Sequence, residues 1–337
     1  MLSQAERNQI IDLINREVVP AIGCTEPIAV ALCTARAAET LGGEPEKITV
    51  RLSANILKNA MGVGIPGTGM IGLPIAVALG ALVGRSEYQL EVLRDVTPEA
   101  VARARDYLAA DAVSVALKEG ISETLYVEVH CTAGGRRAEA VIAGSHTRFV
   151  YLACDGEVVL DRRTGASSRE EEPCVPLTLR RVFDYALTAP IDELAFIDEA
   201  RRLNMAAAEL ALGGEYGHSL GRTLRGRREL HVMGDSLFSR MLAYTSAACD
   251  ARMAGAMVPV MSNSGSGNQG IAATVPVAVY ARQTGASEER TRRALVLSHL
   301  TAIYIKQSLG RLSALCGCVV AATGSSCGIA YLMGGGY

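Results

Sequence analysis

The sequence Met261-Ser-Asn-Ser-Gly-Ser-Gly-Asn-Gln-Gly270 runs directly into the apolar segment 271–279. Glycine lets backbone N–H groups approach a ligand and adopts positive φ angles. A helix that begins after such a turn offers unsatisfied N–H donors and the positive end of its dipole to an anion. The stretch therefore predicts a carboxylate or phosphate site. The alternative is a polar loop that only caps the helix, because Ser and Asn are preferred caps.

On both sides of this stretch, apolar residues beyond Pro176 recur with helical periodicity. Helices are expected at 191–212, 236–254, 271–283, 287–307 and 312–333. The segment 313–333 carries no charged residue and is long enough to span a bilayer. Three glycines dilute it, and it lacks the aromatic belts of membrane spans, so a buried helix is favoured and no membrane association is expected.

The first half of the chain has a mixed pattern. Ser3 and Glu6 have the spacing of a capping box before an amphipathic helix. Strand-like segments occur at 48–52, 113–117, 125–130, 138–142, 148–152 and 157–160. Short connections with Gly-Gly or Asp-Gly turns predict antiparallel hairpins. The predicted fold is α+β: an α+β domain at 1–172 with a mainly antiparallel sheet, then an all-helical domain at 173–337 on which the N-terminal helices can also pack.

Composition limits the class of function. The apolar fraction of 49% over 337 residues provides a sizeable core, and the net charge of −2 gives no indication of a nucleic-acid partner. The N-terminus lacks a secretory signal, so the nine cysteines are expected to be reduced thiols of a cytoplasmic protein. A small-molecule ligand is the expected partner, and a homo-oligomer is compatible with the sequence.

Two further turns precede apolar helices. In Gly23-Cys-Thr-Glu-Pro27, Cys24 lies just before a helix N-terminus, where the dipole favours a thiolate; the alternative is a small turn residue. The segment 59–69 is a second glycine-rich loop. It matches G-x-G-x-x-G by letter, as 265–270 does, but neither match has the strand–turn–helix context of a dinucleotide site.

Cysteine spacing near the C-terminal end is ambiguous when taken alone. Cys316 and Cys318 form a Cys-x-Cys sequence, and Cys327 follows at a distance. Residues two apart on a helix do not face the same side, so they are poorly placed for one metal. From the residues alone, packing of small apolar side chains is the favoured interpretation.

Four motifs occur in order along essentially the whole chain: Gly23-Cys-Thr-Glu-Pro27, Asn59-Ala-Met-Gly-Val-Gly-Ile-Pro-Gly-Thr-Gly69, the 261–270 stretch and Leu297-Ser-His-Leu-Thr-Ala-Ile-Tyr-Ile305. Together they resemble the L-cysteine desulfidase family, which is similar in its helical half to the alpha domain of iron–sulfur L-serine dehydratases. The resemblance implies a lyase with a [4Fe-4S] cluster that converts L-cysteine to pyruvate, ammonia and hydrogen sulfide by α,β-elimination.

The resemblance also implies roles for particular residues. Cys316 matches the first cluster cysteine, whereas Cys318 and Cys327 are not expected to be ligands. The other two cluster cysteines are expected beyond residue 337, so the chain is predicted to be truncated or completed by another polypeptide. Cys24 is expected to be the base that removes the α-proton, or a resting-state ligand of the open iron.

Ser264, Ser266, Asn268 and the adjacent backbone N–H groups are expected to bind the substrate carboxylate. Gln269 is also expected to bind the substrate, and Asn55, Lys58 and His146 could complete the pocket. For Lys58 the alternative is a solvated charge, and for His146 a structural turn. Two other functions stay open. One is L-serine dehydratase activity on the same scaffold, and the other is a non-catalytic fragment that binds a small molecule.

Overall fold

The computed structural model describes residues 2–163, 175–309 and 316–337. Its helices are α1 (Gln4–Glu17), α2 (Thr25–Leu41), α3 (Ala54–Ala60), α4 (Leu73–Leu82), α5 (Pro98–Ala109), α6 (Leu179–Thr188), α7 (Ile197–Leu212), α8 (Leu220–Thr223), α9 (Arg227–Met233), α10 (Leu237–Met253), α11 (Gly267–Thr284), α12 (Glu288–Leu309) and α13 (Gly317–Leu332). Its strands are β1 (Pro20–Ile22), β2 (Lys47–Leu52), β3 (Val113–Leu117), β4 (Tyr126–Ala133), β5 (Arg136–Ala143), β6 (Phe149–Cys154), β7 (Glu157–Asp161) and β8 (Pro259–Met261). The predicted α+β class is confirmed.

The chain divides into two compact units. Unit 1 comprises Met1–Ala21, Cys174–Arg252 and Val258–Tyr337, and unit 2 comprises Ile22–Pro173 and Met253–Met257. The domain boundary predicted between residues 172 and 173 lies outside the described residues.

The sheet of unit 2 has the strand order β3-β2-β4-β5-β6-β7. Only the β2–β3 pair is parallel within it, so the prediction of a mainly antiparallel sheet is confirmed. In β2, Ile48, Val50 and Leu52 are buried and alternate with more exposed residues, because successive side chains of a strand point to opposite faces. The β4–β5 hairpin turns at Gly134-Gly135, where both residues have the positive φ of a type I′ turn.

Helix α2 forms the centre of unit 2. Almost all of its residues are buried, since it packs on β4 and β5 and also on α4. A Cβ at Gly80 of α4 would lie 2.5 Å from the carbonyl oxygen of Ala31 in α2. The two helix backbones therefore touch at a point that only glycine allows.

Unit 1 is built on α11, α12 and α13, which pack against one another. A Cβ at Gly324 of α13 would lie 2.4 Å from the carbonyl oxygen of Ser298 in α12. The glycines of 313–333 thus bring α13 close to a neighbouring helix, and one face of α13 is buried. Within the described residues, no helix combines the length and apolar character needed to cross a membrane.

Two predicted details of the helical half are wrong. The helix expected over 191–212 is divided into a 3₁₀ helix, Ile191–Leu194, and α7. Backbone bonds between residues three apart, such as Ala195 N–H to the Asp192 carbonyl at 3.3 Å, tighten this first turn. The arginine cluster of residues 222–228, for which the sequence favours a solvated loop, instead lies in α8, α9 and the turn between them.

We predict that Gly80→Ala lowers the stability of unit 2. Helix propensity alone favours alanine, but the added Cβ meets backbone atoms of α2 that cannot move independently, which costs about 1–3 kcal/mol. Urea unfolding followed by circular dichroism measures the change. Gly43→Ala is the matched control, because a Cβ there meets nothing within 4 Å. An equal effect of both substitutions would contradict the proposed helix contact.

Candidate functional site

The stretch 261–270 forms a tight hairpin turn that leads into α11. Asn263 and Ser266 exchange two backbone hydrogen bonds of 3.0 Å. Between them, Ser264 and Gly265 have φ angles of 49° and 80°, as a two-residue type I′ turn requires. The side chain of Ser266 then caps α11 by accepting from the Gln269 N–H at 3.3 Å. The stretch is thus both a turn and a helix start, as its sequence predicts.

Glycines in both loops that match G-x-G-x-x-G make room for other parts of the chain. In unit 1, a Cβ at Gly267 would lie 2.1 Å from Nε of Arg252. In unit 2, a Cβ at Gly64 would lie 2.4 Å from the carbonyl carbon of Ala254. Contacts within the protein therefore account for these two positions without a nucleotide.

A buried hydrogen-bond network ties the turn to α11 and α12. Asn263 Nδ2 donates to Nδ1 and to the carbonyl oxygen of His299, both at 3.1 Å. Because Nδ1 accepts, the ring proton is on Nε2, which donates to Thr274 Oγ1 at 2.9 Å. Thr274 Oγ1 in turn donates to the Gly270 carbonyl at 2.7 Å and accepts from Asn204 Nδ2 at 2.9 Å. The network requires a neutral His299.

Burial supports the same protonation state. His299 is enclosed, and desolvation lowers its pKa to about 4. Neither His299 nor Asn263 was predicted to have a role, although both lie inside the motifs of the sequence. Their partners come from other elements of the fold, so the sole signal in the sequence is the imidazole of the 297–305 motif.

Gln269 belongs to the same network, but one polar atom of its side chain lacks a hydrogen-bond partner among the described residues. Its side chain is 1% exposed, and Nε2 donates to Asn263 Oδ1 at 2.9 Å. Within residues 2–163, 175–309 and 316–337, its Oε1 has no hydrogen-bond partner. A Cβ at Gly317 would lie 3.1 Å from this oxygen, so Oε1 faces the N-terminus of α13. A buried acceptor in this position is suited to a ligand that donates a hydrogen bond.

Two exposed thiols lie at the same helix end. Cys316 is the N-cap of α13, and its Sγ is 3.4 Å from Sγ of Cys318. Hydrogen bonds from the backbone and thiol of Cys318 lower the pKa of Cys316, and the shared thiol contact raises the pKa of Cys318. The interpretation of this pair as core packing is wrong. Its two thiols meet because Cys316 precedes the helix, where the spacing rule for helical residues does not apply.

Cys327 behaves differently, since it is half-buried and packs against the main apolar cluster of unit 1.

On the other side of the turn, Arg252 is 3% exposed and its Nη1 donates to Asn268 Oδ1 at 2.9 Å. Its guanidinium lies against Gly267 at the start of α11, so a full charge adds to the positive end of the helix dipole. Arg252 was not predicted as a site residue, because it lies in no local sequence motif.

In unit 2, Cys24 is the buried N-cap residue of α2. Its Sγ donates to Glu26 Oε2 at 3.1 Å, and Thr25 Oγ1 donates to the same oxygen at 3.0 Å. Asn59 Nδ2 donates to the other carboxylate oxygen at 3.2 Å. Glu26 therefore collects donors from α2 and α3. It was overlooked as a site residue, although it lies in the Cys24 motif.

The remaining predicted residues of unit 2 differ in their exposure. Asn55 and Lys58 are exposed on α3, on the turn that precedes Asn59. His146 is 4% exposed in the turn between β5 and β6. Unit 1 thus brings together the turn and Cys316, and unit 2 brings Cys24 together with α3. The assigned roles of all these residues stay predictions.

A search of the described residues for metal-ligand geometry gives one cluster, Glu128, His130 and Glu139 in unit 2. Glu128 already accepts from Lys118 Nζ at 2.8 Å and from Tyr126 Oη at 2.6 Å. Burial alone would raise the pKa of Glu128, but these charge-assisted hydrogen bonds lower it to about 2. The cluster is accounted for as an ion-pair network on the sheet.

Comparisons with known proteins give a consistent result. Residues 87–337 match the family model described as serine dehydratase alpha chain. A UPF0597 protein of Bacteroides thetaiotaomicron is 69% identical over 99% of this chain and 78% of its own length. A UPF0597 protein of Porphyromonas gingivalis is 53% identical over 99% of this chain and 78% of its own length. A UPF0597 protein of Photobacterium profundum is 46% identical over 97% of this chain and 77% of its own length. No solved structure matches the chain.

We predict that acid destabilises unit 1 through His299. The folded pKa of about 4 lies below the ordinary value of 6.5, so the unfolded chain binds the proton first as the pH falls. The contribution of His299 to the free energy of unfolding is therefore fully present above pH ~6.5. It is lost as the pH falls towards ~4, by about 3 kcal/mol in total. Denaturant unfolding at a series of pH values measures it, and His299→Gln should remove this component. The control is His130→Gln, because His130 is half-exposed. If His299→Gln unfolded with the same pH dependence as the parent protein, His299 would not be the source of the acid destabilisation.

Proposed function

The chain belongs to the serine dehydratase alpha chain family, and on that premise we propose that it is an iron–sulfur lyase that eliminates sulfide from L-cysteine. The products are pyruvate, ammonia and hydrogen sulfide, formed in the cytoplasm. The family supports a lyase that acts on a small amino acid. The choice of cysteine rests on the resemblance of the four sequence motifs to L-cysteine desulfidases.

The observation that carries the proposal is the orientation of Gln269. Its amide nitrogen is committed to Asn263, so its buried Oε1 must point towards Gly317, the residue that follows Cys316. Without a partner among the described residues, this acceptor is costly unless a ligand supplies a donor. The α-ammonium group of an amino acid is such a donor. We therefore assign Gln269 to the substrate amine, beside the thiolate of Cys316.

The start of α11 is suited to the substrate carboxylate. The first N–H groups of a helix have no acceptor within it, and the dipole favours an anion there. The guanidinium of Arg252 adds positive charge at the same point. Ser264, Ser266 and Asn268 border this end of the helix and complete the anion site of the proposal.

Cys316 fits a cluster ligand better than the other described thiols of unit 1. It is exposed, and its lowered pKa favours the thiolate that iron requires. When bound, a [4Fe-4S] cluster would supply a Lewis-acidic iron for the departing sulfur.

Removal of the α-proton is assigned to the Cys24–Glu26 pair. The thiol proton lies in a hydrogen bond to Glu26, which can accept it and leave a thiolate on Cys24. The thiolate then takes the α-proton as the carbon–sulfur bond breaks. Thr25 and Asn59 orient the carboxylate for this transfer. The resulting aminoacrylate hydrolyses to pyruvate and ammonia. Asn55, Lys58 and His146 stay proposed substrate-binding residues of unit 2.

The second candidate is L-serine dehydratase activity, which the family's description favours. This reaction would use the same residues to bind the amine and the carboxylate and to remove the α-proton. The leaving group would be the hydroxyl of serine instead of the thiol of cysteine. A non-catalytic small-molecule-binding protein is the remaining alternative.

We expect full-length protein, reconstituted anaerobically with iron and sulfide, to release sulfide and pyruvate from L-cysteine. The kcat/KM for cysteine should exceed that for serine by at least ~10-fold, which corresponds to about 1.4 kcal/mol in the transition state. A preference for serine would favour the second candidate. Binding of cysteine without turnover, or absence of cluster absorbance, would contradict the lyase.

The iron content of cysteine variants distinguishes the proposed cluster ligand from cysteines that do not bind iron. Cys316→Ala should abolish cluster binding, because it removes the exposed thiol at the start of α13. Cys327→Ala should retain it, because the half-buried Cys327 packs against the apolar cluster. Iron and acid-labile sulfide are measured after reconstitution. Cys24→Ala should bind iron but lose turnover if Cys24 is the base. Equal iron in the Cys316 and Cys327 variants would contradict the cluster assignment.

A further inference from the structure

Unit 2 contains a cavity that the proposed lyase chemistry does not use. It measures about 450 Å³ and opens beside β6 and β7, with Arg36 of α2 and the 3₁₀ helix Ser86–Glu91 on its other side. Leu152 and Leu160 supply apolar surface. This volume falls in the range of small-molecule sites, which is about 300–1,000 Å³.

The charge of the cavity lining is strongly positive. Arg36, Arg148 and Arg162 line it, against a single acidic residue, Glu87. Arg36 is engaged by Glu39 at 3.4 Å. In the described part of the chain, neither Arg148 nor Arg162 forms a salt bridge, and both are exposed. Two guanidinium groups at one cavity, each with donors to spare, favour a bound anion.

Backbone strain marks the same cavity. Gln89 lines it with a φ of 51° and a ψ of −120°, which interrupts the 3₁₀ helix. A residue other than glycine rarely takes a positive φ, and such strained residues cluster where ligands are held. The neighbouring Ser86 is fixed, since its backbone N–H donates to Glu39 Oε1 at 2.7 Å. The rim opposite the arginines is therefore preorganised.

We propose that this cavity binds a small organic dicarboxylate. One carboxylate would contact Arg148 and the other Arg162, since the planar guanidinium matches a carboxylate with two parallel hydrogen bonds. The carbon skeleton would lie on Leu152 and Leu160. This apolar surface favours a dicarboxylate over inorganic phosphate, which has no apolar part to bury. The site lies wholly in unit 2 and is independent of the proposed lyase activity.

Isothermal titration calorimetry of the full chain with glutarate tests the proposal. Glutarate should bind at least ten-fold more tightly than butyrate, which has one carboxylate, and more tightly than inorganic phosphate. The double variant Arg148→Ala/Arg162→Ala should weaken glutarate binding at least ten-fold. Both side chains are exposed, so the melting temperature without ligand should stay unchanged.

The control variant, Arg103→Ala/Arg105→Ala, removes the same charge from exposed positions of α5 and should bind glutarate like the parent protein. Equal loss of binding in both double variants would show general electrostatic attraction and overturn the site. Tighter binding of phosphate, equal binding of butyrate, or no heat with glutarate would also overturn it. None of these readouts uses turnover, so they stand apart from the test of the lyase.

Discussion

The hydrogen bond between Asn263 and His299 fixes the orientation of the polar groups in unit 1. His299 is neutral because it is buried, and its Nδ1 accepts from Asn263 Nδ2. The Asn263 amide therefore cannot be reversed, and its oxygen must face Gln269. Gln269 then meets this oxygen with its nitrogen and turns its own oxygen towards Gly317. One protonation state in the core thus determines where an acceptor appears at the candidate site.

This arrangement has an energetic consequence. A buried acceptor without a donor costs about 1–3 kcal/mol, so folded proteins seldom keep one. Here the other side chains of the network are satisfied through His299, Thr274 and Asn204. Within this network, Gln269 Oε1 is the atom that has no partner among the described residues. Stability alone does not favour such an atom. It lies beside the N-terminus of α13 and the exposed thiol of Cys316, and this position is the basis of the proposed ligand contact.

Local signals in the sequence predicted local structure well. The Ser3 and Glu6 capping box is present, and the strand alternation gave the sheet of unit 2. The polar turn before α11 also formed as expected. The helix expected over 191–212 was predicted too long, because a 3₁₀ turn preserves the apolar spacing while it changes the hydrogen bonding. Asn263, His299 and Arg252 could not be assigned, since their partners come from elements distant in sequence.

The two candidate thiols differ in what surrounds them, and this difference is the basis of the different roles proposed for them. Cys316 accepts hydrogen bonds at a helix N-terminus, which stabilises the negative charge a metal ligand carries. Cys24 also caps a helix, but its thiol donates to the carboxylate of Glu26. A thiol with a proton acceptor in contact is suited to proton transfer, and a thiolate held by N–H groups is suited to iron.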